Sequence, residues 1–411
     1  MISMPDDEFA IAATGGAATG TPEPLRDASE EGGDAALSSP AHAQKEVSLV
    51  TDVHERLAET YRRLTGGRRT WLSVHLAEDA VTPFGSSLLE AIKVIEGRLS
   101  GAGERFIAEL ADIRYMPASD NRAGWKAGFE QLVQKLGEVL VARTLFEADW
   151  PEGTTFTLEP TNPNTGARPE VLVDTPERQW LFEVKCPAFI DYQDRRDANP
   201  RQLPVRGPLG ELPGMLEGTT LPRDNVLKDF LASAERKFHS FSTKDRTGVL
   251  VVVWDAHIFE ATSALSHSQA GLLKERSWHR RNGVRVPYAA VDGVILLNHL
   301  EVIKVSAQEM FEARQEDPFR IVPAGQPPNV WCPNLGGGDL DAGVAALFNA
   351  RPLDEVSVAA DYSPKDFVMW IDVEAAARAH RRGAMRRRLL RGVSETAISV
   401  SRRPTSVTKT A

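Results

Sequence analysis

At 411 residues the chain exceeds what one hydrophobic core usually supports, so two structured regions with tails are expected. Apolar residues at 42% and charged residues at 26% are ordinary for a soluble globular protein. A net charge of −9 excludes bulk electrostatic attraction to nucleic acid, so any such binding must come from local basic patches.

Cys186 and Cys332 are too few and too far apart for a disulfide framework or a cysteine zinc site, which fits a reducing, cytoplasmic setting. Residues 1–44 are rich in Ala, Gly, Ser, Pro, Asp and Glu and are expected to be disordered. They lack the basic start and apolar centre of a signal peptide. No later stretch has the run of about twenty apolar residues that spans a bilayer, so no membrane is expected.

From 45 to 122 the pattern is helical. Val47, Val50, Val53, Leu57, Tyr61 and Leu64 recur at three- and four-residue steps, and Gly66-Gly67 follows as a stop signal. Ser86-Ser87-Leu88-Leu89-Glu90 offers a capped start for a second helix, and a third spans 104–115. This stretch reads as a helical accessory region, a surface for a protein partner or a second copy of the chain.

Residues 124–146 read as one long helix, with Phe129, Leu132, Val133, Leu136, Val139 and Leu140 in a stripe. Glu138 lies nearly opposite that stripe, yet Val141, Ala142 and Leu145 make its own face apolar too. A helix hydrophobic all round is buried, so Glu138 is a carboxylate in or beside a core, costly unless paired or metal-bound. Glu130 is the alternative on the same helix.

Thr154 to Glu159 alternates like a strand, and a turn-rich loop leads on to Arg168. Glu170-Val-Leu-Val173 and Trp180-Leu-Phe-Glu-Val-Lys185 then read as the two arms of a hairpin. If Val173 faces Trp180, Glu170 lies directly across from Glu183. Alternation puts Leu181, Glu183 and Lys185 on one face and Trp180, Phe182 and Val184 on the other. Two like charges opposed on a sheet are destabilising, so a neutralising cation is expected. Asp174 is the competing first carboxylate, but this register places it at the turn, remote from Glu183.

Pro169-Glu170, a spacer, and Glu183-Val184-Lys185 resemble the PD-(D/E)xK motif of the restriction-endonuclease-like nuclease superfamily, with Glu170 where the family usually has Asp. The resemblance implies an α/β fold, a mixed sheet flanked by helices in the core order α-β-β-β-α-β over 123–330. It implies Glu170, Glu183 and Lys185 as catalytic residues. Glu170, Glu183, Glu138 and the carbonyl of Val184 would bind Mg²⁺, with Mn²⁺ as substitute. The implied activity is metal-dependent hydrolysis of nucleic-acid phosphodiester bonds, DNA before RNA, in defence or processing. A non-catalytic nucleic-acid-binding or scaffolding protein of the same fold is the alternative.

Residues 187–222 are polar and rich in Pro and Gly, a long insertion. Asp224 to Phe241 reads as a helix with Asp224 as N-cap, and its Lys228 and Lys237 are candidate substrate contacts. Gly248 to Trp254 is a continuous apolar strand, and Val291 to Leu297 another. Residues 331–392 read as a C-terminal extension whose basic helix carries Arg386, Arg387 and Arg388, suited to a phosphate backbone. Residues 393–411 are expected to be a disordered tail.

Overall fold

A computed structural model of the chain describes residues 40–355, apart from short stretches of which 203–218 is the longest, together with 370–371. Both expected tails, except residues 40–44, and the basic helix with Arg386, Arg387 and Arg388 lie outside the described residues. The chain divides after Ser48 into two compact units, and the sheet with its covering helices belongs to the unit that begins at Leu49.

Helix α1 spans Pro40–Thr65 and so begins inside the stretch expected to be tail. Proline suits a first helical position, where its missing N–H has no partner to lose. An unexpected short helix, α2 (Trp71–His75), is closed by a capping box between Thr70 and Ser73. Helix α3 (Pro83–Arg98) starts earlier than Ser86 because Thr82 accepts from the Gly85 N–H and Pro83 occupies the first turn. Helices α4 (Ala102–Asp112) and α5 (Arg122–Glu147) follow.

Seven strands form one mixed sheet: β1 (Thr155–Leu158), β2 (Val171–Asp174), β3 (Gln179–Lys185), β4 (Arg246–Trp254), β5 (Gly293–Asn298), β6 (Asn329–Pro333) and β7 (Ala350–Pro352). Their order across the sheet follows the chain. Pairs β1/β2, β2/β3 and β5/β6 are antiparallel; β3/β4, β4/β5 and β6/β7 are parallel. The protein is therefore α/β, with helices on both faces of the sheet.

Parallel strands need long crossovers, and here helices supply them. Between β3 and β4 lie α6 (Ile190–Ala198) and α7 (Asp224–His239); between β4 and β5 lies α8 (Ile258–Ser266). Helix α9 (Leu300–Gln308) leads towards β6, and α10 (Ala342–Leu347) joins β6 to β7. On one face, α3, α4, α5 and α9 share a core with Phe182, Val184, Val251 and Leu297. On the other, Leu227, Leu231, Ala234 and Phe238 of α7 pack with Leu181, Leu250 and residues of α8. The accessory helices are thus continuous with the sheet's core.

Three further boundaries differ from expectation. The line drawn at 330 falls inside β6, so the start of the C-terminal extension completes the sheet. Asp224 is the first residue of α7, preceded by Arg223, and no side chain caps that end. The insertion opens with α6, and the N–H groups of Phe189, just before it, and Ile190, its first residue, donate to the Glu130 carboxylate at 2.9 Å.

Gly248 marks where β4 passes closest to its neighbours. A Cβ there would lie 2.4 Å from the Ala290 carbonyl oxygen and 2.7 Å from the Phe238 ring. Gly248→Ala is expected to lower stability by about 1–3 kcal/mol, read as an earlier urea midpoint at unchanged slope.

Candidate functional site

The β2–β3 hairpin has the register read from its residues, with Val173 opposite Trp180 and Val171 opposite Phe182. Glu170 sits just before β2, and its N–H donates to the Phe182 carbonyl at 3.0 Å. Trp180, Phe182 and Val184 enter the core under α5, while Leu181 enters the core under α7. Glu183 shares the face of Leu181 and is fully buried, 0% exposed.

A buried carboxylate is tolerated only if paired. Glu183 Oε1 lies 2.7 Å from Lys185 Nζ, two residues along the same strand. Lys237, from the last turns of α7, places its Nζ 2.6 Å and 2.8 Å from the two oxygens of Glu183. The same ammonium lies 3.6 Å from Glu170 Oε1. Both hairpin carboxylates therefore converge on one cation.

A small cleft of about 20 Å³, room for a single water, opens between α4, α5 and the β1–β2 edge. Glu109, Lys135, Glu138, Glu159 and Glu170 line it. Lys135 Nζ lies 2.7 Å from Glu109 and forms a shorter contact with Glu138. Gln134, one turn before Glu138, donates to Glu138 Oε1 at 2.8 Å and to the Val184 carbonyl at 3.3 Å, and accepts from the Cys186 N–H at 2.7 Å. Gln134 thereby ties the acidic helix to the end of the E-x-K strand. Gly137 lets the two approach, since a Cβ there would meet Cys186 Sγ at 2.7 Å.

The electrostatics are those of a site with surplus negative charge. Burial first, then the charges of Glu138 and Glu183, push the Glu170 carboxyl up to about 8 against the pull of Lys237 and Lys185. Burial works to lower the Lys185 pKa, but Glu183, Glu170 and Glu138 outweigh it and hold the ammonium charged above its usual range. In the metal-free protein Lys185 is a fixed positive charge.

The structure thus brings together Glu138, Glu170, Glu183, Val184, Lys185 and Lys237. It leaves others out. Lys228 is nine residues before Lys237, about 14 Å along α7, and turns to Asn225 and Asp229 at 3.3 Å. Asp174 stays at the turn, accepting from Gln179 at 3.2 Å. Glu130 is engaged at the start of α6. Reading the residues missed Gln134, Lys135 and Glu109; the four-residue step from Gln134 to Glu138 is the signal that could have found the first.

Among the described residues, no three His, Cys, Asp or Glu groups gather closely enough to hold a metal ion by themselves. What converges is two carboxylates, with a third near Glu170 and a backbone carbonyl beside them. That all-oxygen set suits Mg²⁺, which takes one or two carboxylates and keeps several waters. An ammonium already held between Glu170 and Glu183 marks the spot as one that takes positive charge. No helix among the described residues is long and apolar enough to cross a membrane. No family model, no curated protein and no solved structure matches the chain.

Proposed function

We propose that the protein is a metal-dependent nuclease of PD-(D/E)xK type that hydrolyses phosphodiester bonds of nucleic acid, DNA in preference to RNA. The observation that carries this reading is the convergence of Glu170, Glu183 and Lys185 where β2 begins and β3 ends, with the Lys237 ammonium between the two carboxylates. The order α5, β1, β2, β3, α7, β4 in a mixed sheet, with α6 inserted between β3 and α7, supports it, since the motif implies the core order α-β-β-β-α-β.

Glu170, Glu183 and the Val184 carbonyl would hold Mg²⁺ or Mn²⁺, with Glu138 behind Glu170. When bound, the metal supplies a water of lowered pKa and neutralises charge on the reacting phosphate. The chain's own part is electrostatic and positional. Lys185, charged and fixed against Glu183, offers its ammonium to the phosphate oxygens or to the attacking water. Gln134 orients Glu138 and anchors the strand end that carries Val184 and Lys185. Glu170 carries the right oxygens on a longer arm than Asp, and its contact with Lys237 places those oxygens beside Glu183.

A second reading, a nucleic-acid-binding or scaffolding protein without turnover, is favoured by one feature: Glu183 is neutralised by two lysines without any metal. Cleavage assays separate the two. Single- and double-stranded DNA and RNA, incubated with full-length protein and Mg²⁺ or Mn²⁺, are expected to be cut, and EDTA to stop cutting. Absence of cleavage on all four substrates would leave the binding reading in its place.

A further inference from the structure

Lys237 belongs to two places at once. Its ammonium lies between Glu170 and Glu183, where a divalent cation would sit. Its side chain also lines an open groove of about 650 Å³ between α7 and the loop before β2. The groove carries Arg236 and His239 with the hydroxyl residues Thr165, Ser233 and Ser240. Asn162 donates to the Ser240 carbonyl at 2.5 Å and ties the loop to the end of the helix, so both walls are fixed. Among the described residues of the groove the one acidic side chain, Glu235, accepts from the Ala290 N–H at 2.7 Å. With Lys237 turned into it, the groove would offer two cationic side chains and three hydroxyls against one carboxylate, a donor set suited to a phosphate backbone.

We propose that Lys237 is a latch exchanged between these two places, an inference that rests on the metal-dependent reading of the site. With no metal present the ammonium satisfies Glu170 and Glu183. A divalent cation bridging Glu170 and Glu183 stands where this ammonium stands and carries twice the charge, so the ammonium is expelled. A lysine has a long flexible stem and a point charge that re-pairs without a fixed geometry. Its Nζ swings into the groove beside Arg236 and meets a backbone phosphate. Glu183 is not left unpaired at any stage, because Lys185 stays on it at 2.7 Å. Metal binding and strand binding are therefore coupled, each favouring the other, and by linkage the coupling is reciprocal.

The test is calorimetric titration of Mn²⁺ into the full chain and into Lys237→Met. The variant is expected to bind Mn²⁺ roughly tenfold or more tightly, since the carboxylates have no ammonium to shed. A second measurement on the unaltered protein covers the case in which the variant fails to fold: acetylation of lysines read by mass spectrometry, with and without saturating Mn²⁺. Modification of Lys237 is expected to rise several-fold with the metal. Equal or weaker Mn²⁺ binding by a folded variant, or an unchanged Lys237 footprint in the presence of bound metal, overturns the latch and leaves the nuclease reading standing. No Mn²⁺ binding by either protein overturns both.

Discussion

If the protein is the proposed nuclease, Lys185→Ala is expected to lower metal-dependent cleavage by about 10²–10⁴-fold, the range for losing one placed charge or proton-handling group from an active site. The fall is expected in kcat, with KM nearly unchanged, because a charge aimed at the developing phosphate acts in the transition state. The fold should survive. Glu183 keeps Lys237 at 2.6 Å and 2.8 Å, so no buried carboxylate is left without a cation. Lys185 is itself only partly buried at the end of β3. Lys185→Arg restores part of the rate, since it returns the charge but in a planar fork that cannot match an ammonium's geometry. Circular dichroism and thermal unfolding establish that both variants fold; a folded Lys185→Ala with undiminished kcat would remove Lys185 from the site.

The local half of this site was legible in the sequence, and the tertiary half was not. Alternation and turn length are sufficient to set the hairpin register, because a one-residue slip would turn Leu181 and Glu183 into the wrong core. The buried state of Glu138 followed from a helix apolar on every side. Nothing local, however, says which face of α7 meets which strand. Lys237 reads as one of several basic residues at a helix end; only the packing of Leu231, Ala234 and Phe238 against β3 and β4 turns it onto Glu183. Helix α6 was hidden for a similar reason. Its start is stabilised by Glu130, sixty residues earlier than Ile190, and a run of Asp and Arg in a Pro-rich stretch has no apolar period to betray it. Strands β6 and β7 are short pieces at the sheet's far edge, and their pairings, β6 to β5 and β7 to β6, are non-local.

Glu170 is expected to make the protein in EDTA lose stability as pH rises. Its carboxyl titrates near 8 in the folded chain against 4.5 for the ordinary group, chiefly through burial and then through Glu138 and Glu183. A proton bound by the folded state and not by the unfolded one favours folding, so the contribution is whole below about 4.5 and is lost as pH climbs through about 8. Its size is a few kcal/mol at most, less what the partial exposure of the carboxylate screens. His75 works the other way. Burial lowers its pKa to about 4, so its contribution is lost as pH falls from about 6.5 through about 4, and the two trends oppose each other in that lower window. Between about 6.5 and about 8 Glu170 acts without this opposition. Urea unfolding in EDTA is expected to show declining stability across that window in the wild type and a flat profile in Glu170→Gln, the difference between the two isolating the one carboxyl. Mg²⁺ added to the wild type should abolish the decline, because a cation on the ionised carboxylate reverses the preference for the proton. A Glu170→Gln profile that falls as steeply as the wild type would mean that the buried carboxyl of Glu170 is not the group that holds this proton.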